Sequence, residues 1–243
     1  MALFPFEPAY FTQVGLSASW VGHPVLESGA DKGDAAGFRM RHGIADDETL
    51  LVILPGSRVS EVTRLLELFS AVVQSLNAQV PHLRVVIPTL PHVAEMVRSS
   101  CASWPGQPII VDTTAERFDA FAAGRAALAA SGTVSLELAM AGLPHVIAYR
   151  INPLSAFVLA RLLKTKYVNL VNVLLGRESV PERLQRNARV DVLVSDMQRL
   201  FSDETERQRM KDDFKLALAK LSPNGARPSH QAARKVLSLI QNL

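Results

Sequence analysis

Residues 126–150 read AALAASGTVSLELAMAGLPHVIAYR, and this stretch decides the fold: an apolar run, a small polar turn, a helical pattern and a second apolar run follow one another without a spare residue. The order predicts strand, loop, helix, strand, the repeating unit of a parallel sheet. Ser131, Gly132 and Thr133 then lie at the carboxyl end of a strand and the amino end of a helix, where unpaired backbone N–H groups and the helix dipole favour an anion. Glu137 falls in the first turn, beside the same loop.

The same rhythm extends upstream. LLVIL at 50–54 is a buried-strand pattern ended by Pro55-Gly56, and Val62, Leu65, Leu66, Phe69, Val72, Val73 and Leu76 recur at helical spacing behind it, with Ser57 or Ser60 available as the cap. LRVVIP at 83–88 and PIIV at 108–111 predict two more strands, with helices at 92–100 and 116–123. Strand and helix alternate over short loops, which predicts a doubly wound parallel α/β sheet, Rossmann-like in layout. Downstream, helices are expected at 153–163, 190–201, 204–221 and 229–243, with an apolar segment at 168–175 interrupted by Asn169 and Asn172. The first forty residues read as the end of a domain: a short strand at 2–6, a turn with a short helix at 7–15, a strand fragment at 19–21, then a polar, Gly- and Asp-rich connection over 27–48.

Composition narrows the function classes. At 243 residues and 48% hydrophobic, the chain can bury a real core, and no run of eighteen apolar residues predicts a membrane span. Aromatic residues, at 6%, are too sparse for a base-stacking platform, and a net charge of +3 is small for this size, so a local phosphate-binding patch is expected rather than nucleic-acid binding. The lone Cys101 excludes an intrachain disulfide and fits a cytoplasmic protein, and MALFPFEPAY lacks the basic start of a signal peptide.

In an open parallel sheet, ligands sit beyond the carboxyl ends of the strands, so the loops after the strands at 50–54 and 126–129 are the ones to inspect. The first is Pro55-Gly56-Ser57-Arg58, where glycine permits close backbone approach and arginine offers a planar fork for phosphate oxygens; the second is Ser131-Gly132-Thr133. Glu137 is one step too far along for a capping box, but its carboxylate suits paired ribose hydroxyls. Together these describe a nucleotide diphosphate site. A scaffold reading stands beside it, because Pro-Gly turns commonly end strands and an acidic first turn suits the helix dipole by itself. No GKS or GKT follows either loop, so neither is a Walker loop.

PFE at 5–7, VGHP at 21–24, LPGSR at 54–58, ASGTVSLE at 130–137, AGLPHVIAYR at 141–150 and KTKYVNLVNVLLGRESVPERLQ at 164–185 together resemble the lipid-A-disaccharide synthase family, in order and in spacing. The resemblance covers nearly the whole chain. It implies the GT-B fold, two Rossmann-like domains facing across a cleft, and the transfer of 2,3-diacylglucosamine from UDP to 2,3-diacylglucosamine 1-phosphate, forming a β-1,6 linkage with inversion and releasing UDP. It implies no metal and no other cofactor. By the same resemblance, Ser57 and Arg58 contact the diphosphate, Ser131, Gly132 and Thr133 form its phosphate loop, Glu137 binds the ribose, and Asn172, Glu182 and Gln185 border the donor sugar or the cleft.

The family carries a further domain before the PFE block, including the expected catalytic base. The expectation is therefore that residues 1–26 belong to an acceptor domain, 27–48 are a linker, 49–222 form the nucleotide-sugar-binding domain, and 223–243 cross back toward the acceptor domain, leaving Val236, Leu239, Ile240 and Leu243 exposed and prone to self-association. This chain by itself is expected to hold the donor and to lack transferase activity. A binding module without chemistry is the alternative, and a UDP-sugar epimerase a more distant one. His23 and His145 read as structural histidines, and Tyr149 and Arg150 as residues closing the cleft. Arg161, Lys164 and Lys166 among apolar neighbours suggest either a core helix with cations reaching solvent or contact with the inner membrane of a Gram-negative bacterium.

Overall fold

The computed structural model describes residues 1–106, 108–150 and 166–240. Six parallel strands stand among them: β1 (Thr49–Leu54), β2 (Leu83–Pro88), β3 (Ile109–Val111), β4 (Ala126–Ala129), β5 (His145–Tyr149) and β6 (Glu182–Leu184). Their spatial order is β3-β2-β1-β4-β5-β6. Register is regular, with Leu51 opposite Val85 on one side and Ala126 on the other. Both faces of the central strands are covered, which is why β1 and β4 are continuous apolar runs: Leu50 to Ile53 and Ala126 to Ala129 are essentially inaccessible.

The helices follow from the same logic. In α3 (Val59–Asn77) the stripe from Val62 to Leu76 is buried, and this helix packs with α4 (Pro91–Cys101) and α8 (Val190–Ser202) on one face of the sheet. On the other face lie α5 (Thr114–Ala123) and α6 (Val134–Met140), with α7 (Leu170–Leu175) and α9 (Glu204–Ala219) against α6. Right-handed crossovers running left from β1 and right from β4 place the two helix sets on opposite faces, so the chain reverses its winding between β1 and β4.

Several local expectations change. The strand expected at 2–6 is reduced to one bridge between Ala2 and Trp20, and α1 (Glu7–Gln13) follows it with no buried residue. Residues 27–48 are an ordered part of the fold. Asp34 accepts the Gly37 N–H as the cap of α2 (Ala35–Arg41), Phe38 is fully buried, and Asp119 of α5 accepts both the Asp34 N–H at 2.7 Å and the Arg41 guanidinium. Two turns resting on one large apolar side chain are too short to show periodicity, which is why the stretch reads as a connection. The apolar segment at 168–175 is a helix, its N-terminus capped by Asn169 Oδ1, which accepts from Val171 and Asn172. The helix expected at 153–163, with Arg161 and Lys164, lies outside the described residues. Of α10 (Pro228–Ile240), tied to Glu27 through Ser229, only Pro228 is buried; Val236, Leu239 and Ile240 are exposed, and Leu243 lies outside the described residues.

Candidate functional site

A cleft of about 410 Å³ opens where the winding reverses, between the loops that leave β1 and β4. Ser57, Arg58, Ser131, Gly132, Thr133 and Glu137 all line it, so six residues from two separate motifs meet in one place. Leu54, Pro88, Leu90 and Val134 supply apolar wall, while Glu61, Thr89 and Arg117 add polar groups.

The β1 loop is built to turn sharply. Gly56 has φ +116°, and a Cβ there would lie 2.4 Å from Glu61 Oε2. The space is taken because the Glu61 carboxylate folds back to accept the Ser57 N–H at 3.0 Å, while His92 Nε2 sits 2.8 Å from the Ser57 carbonyl oxygen. The loop is thus held from its own helix and from α4. Neither Ser57 nor Ser60 caps α3: Arg58 occupies that position, without a side-chain cap, and is exposed at the rim.

The β4 loop continues the sheet for one more residue, the Ala130 N–H donating to Leu54 O at 2.8 Å, and then breaks at Gly132, φ +153°. Ser135 Oγ donates to the Gly132 carbonyl oxygen at 2.9 Å, leaving the exposed faces of Gly132 and Thr133 toward the cleft. Glu137 stands behind them, its side chain 23% exposed. Arg117 NH2 donates to Glu137 Oε1 at 3.4 Å. Glu137 Oε2, Arg117 Nε and Thr89 Oγ1 are buried without a protein partner, three polar atoms in the lining of one cleft. Desolvation pushes the Glu137 carboxyl above its usual range, partly opposed by Arg117. Buried polar atoms are costly to leave unpaired, and their concentration here marks the cleft as a place for a polar ligand.

The remaining site expectations separate from this cluster. Asn172 is fully buried: Oδ1 accepts from Ser179 and Val180 N–H at 2.8 and 2.9 Å, and Nδ2 donates to Val180 O and Glu182 Oε1 at 2.8 and 2.7 Å. Glu182 in turn accepts the Val168 and Asn169 N–H groups. Together they clamp the turn around α7 onto β6, and neither lines the cleft; a fully satisfied asparagine has no group left for a sugar. Gln185 follows the carboxyl end of β6 in a left-handed conformation, φ +52°, two strands from the reversal point. His23 caps a short turn by accepting the Val25 N–H, and burial lowers its pKa. His145 is inaccessible, stacked on Phe214 at 5.2 Å with Nδ1 3.0 Å from Leu143 O, and desolvation drops its pKa to about 4. Arg150 donates to Ala188 O, tying β5 to the turn after β6.

Thr89, Glu61 and Arg117 escape a sequence reading for different reasons. Thr89 follows β2 directly, so the rule that ligands gather beyond strand ends points to it. Glu61 and Arg117 belong to helices that begin beside the cleft, and no motif marks them.

A profile described as lipid-A-disaccharide synthetase matches residues 1–236. A lipid-A-disaccharide synthase of Rhodospirillum centenum is 50% identical over 240 residues, covering 99% of this chain and 60% of that protein; one from Paramagnetospirillum magneticum is 45% identical over 243 residues, covering 99% and 62%. The chain therefore spans about 60% of the length of these curated relatives. Among solved structures, an S. aureus MnaA–UDP co-structure aligns over 100% of this chain and 61% of its own with a TM-score of 0.63 and 13% identity, and sucrose-phosphate synthase of Thermosynechococcus elongatus over 100% and 58% with a TM-score of 0.62 and 14% identity; these likenesses show the fold alone. A Rossmann-like sheet with its cleft at the winding reversal, and a profile match running almost from end to end, place the chain in the lipid-A-disaccharide synthetase family.

Proposed function

We propose that this chain binds the UDP portion of UDP-2,3-diacylglucosamine and serves its transfer to 2,3-diacylglucosamine 1-phosphate, with inversion, to form a β-1,6-linked lipid A disaccharide and UDP. The observation that carries this reading is Glu137 Oε2, a buried acceptor without a protein partner, set in the cleft between the loops that leave β1 and β4. In this arrangement the ribose hydroxyls donate to Glu137. The diphosphate lies along Ser57 and Ser131 to Thr133, and Arg58 approaches it from the rim. As the glycosidic bond to the donor sugar breaks, negative charge grows on the leaving diphosphate, and fixed N–H dipoles with Arg58 stabilise it there. No metal or other cofactor is assigned to the step.

Both proposed substrates carry acyl chains, so the reaction belongs at the surface of the inner membrane of a Gram-negative bacterium, on the cytoplasmic side. Among the described residues no helix is long and apolar enough to cross a membrane. The exposed stripe on α10 is proposed to support self-association.

Calorimetric titration of the 243-residue chain with UDP tests the reading. Saturable 1:1 binding that weakens at least ten-fold in Glu137→Gln supports it; equal binding by the two proteins, or none by either, overturns it. Release of UDP from the donor on adding acceptor separates a transferase from a binding module.

A further inference from the structure

Arg117 is an unexpected feature of the cleft. It sits in the first turn of α5, belongs to neither loop motif, and reaches across to α6. Its guanidinium carbon lies 5.1 Å from the centre of the Phe118 ring, which fixes the side chain's course. NH2 meets Glu137 Oε1, while Nε, also buried, has no protein partner. The side chain is only 22% exposed, so the contact is made away from bulk water.

We propose that Arg117 is a positioning residue for the nucleotide: it engages one oxygen of Glu137 and thereby turns the other, Oε2, to the ribose hydroxyls. This inference rests on the reading of Glu137 as the ribose acceptor. Geometry supplies the argument. A carboxylate at the end of a flexible side chain has two equivalent oxygens, and a donor on one of them decides where the other lies. Burial adds a second reason, because desolvation favours the protonated carboxyl, which accepts a diol poorly, and Arg117 is the neighbouring cation that opposes it. The other charged groups lining the cleft are Arg58 and Glu61, one of each sign, both from the β1 side.

The prediction separates position from scaffold. Removing the cation lets Glu137 protonate at higher pH, so the acid-side loss of UDP affinity in Arg117→Met moves to higher pH than in the native chain. Methionine keeps the apolar stem on Phe118. Arg117→Lys restores the charge and returns the midpoint toward the native value. UDP has its own ionisation near neutral pH, but this is common to every protein titrated and cancels in the comparison.

The experiment is a set of UDP titrations from pH 5.5 to 8.5 for the native chain, Arg117→Met, Arg117→Lys and Glu137→Gln, each with a thermal melt to confirm folding. The expected result is a raised midpoint in Arg117→Met, recovery in Arg117→Lys, and weak, flatter binding in Glu137→Gln. If Glu137→Gln binds UDP as the native chain does, the ribose reading fails. If Glu137→Gln weakens binding while Arg117→Met keeps the native pH profile, that reading stands and the role given to Arg117 is overturned. Should Arg117→Met melt below the assay temperature, Arg117→Lys and Arg117→Gln carry the same comparison.

Discussion

Asn172 Nδ2 donates to Glu182 Oε1 at 2.7 Å, inside the protein rather than in the cleft. The pair converts what reads as a ligand motif into a clamp: four backbone N–H groups, from Val168, Asn169, Ser179 and Val180, end on these two side chains. Asn172→Ala leaves the Ser179 and Val180 N–H groups unpaired in the interior. The expected loss is about 3 kcal/mol, at 1–3 kcal/mol for each buried unpaired group. Urea unfolding measures it, and UDP affinity of the folded variant stays within about two-fold of native.

The buried Glu137 carboxyl lowers the stability of the fold at neutral pH. Its pKa is raised in the fold, so between the ordinary carboxyl value and the folded value the native protein holds a proton that the unfolded chain has lost, and stability falls as pH rises through that window. Above the window the full cost remains. Glu137→Gln therefore raises Tm at pH 7 to 8, and the gain disappears below about pH 4, where both states are protonated. The same variant loses UDP affinity ten-fold or more, the scale of hydrogen bonds to a charged acceptor. Melts at several pH values beside calorimetry check both halves.

His145 makes the fold sensitive to acid. Burial holds it neutral, with a pKa of about 4 against an ordinary 6.5. Below 6.5 the unfolded chain takes up a proton that the folded chain refuses, so stability is lost as pH falls from 6.5 toward 4, by about 3 kcal/mol at 1.36 kcal/mol per unit. In His145→Phe this slope flattens. Chemical denaturation at pH 7, 5.5 and 4.5 reads the difference.

Gly56→Ala sets a methyl group against Glu61 Oε2 and asks an L-residue to hold φ +116°. The backbone conformation by itself costs about 1–3 kcal/mol. Relief by moving Glu61 releases the Ser57 N–H, so UDP affinity drops together with Tm. A double variant, Gly56→Ala with Glu61→Ala, recovers part of the stability and none of the binding.

Cys101 is buried, and desolvation pushes its thiol up to about 12. The folded protein at pH 8 is expected to react with an aromatic disulfide reagent at least a hundred-fold more slowly than the unfolded chain, because thiolate is the attacking form. The rate then serves as a probe of opening around α4.

The alternation of apolar runs and helical stripes determined the parallel α/β sheet, because strands buried on both faces must be apolar throughout and their helices apolar on one side. Once β1 and β4 are placed, the rule that ligands sit beyond strand ends marks Ser57, Arg58 and Ser131 to Thr133 without coordinates. Residues 27–48 were beyond that reading, since α2 is anchored by the single side chain of Phe38 and by Asp119, 85 positions from Asp34. Asn172 and Glu182 stand in a family block, and only the tertiary structure shows that their hydrogen bonds close on each other and on the backbone. Arg117 shows the reverse case. It is 20 residues from Glu137 and in no motif, and only the packing of α5 beside α6 brings its guanidinium to that carboxylate. Periodicity in one chain direction records which faces are buried; which polar groups meet across the cleft is set by the crossovers between strands, and that tertiary structure alone decided.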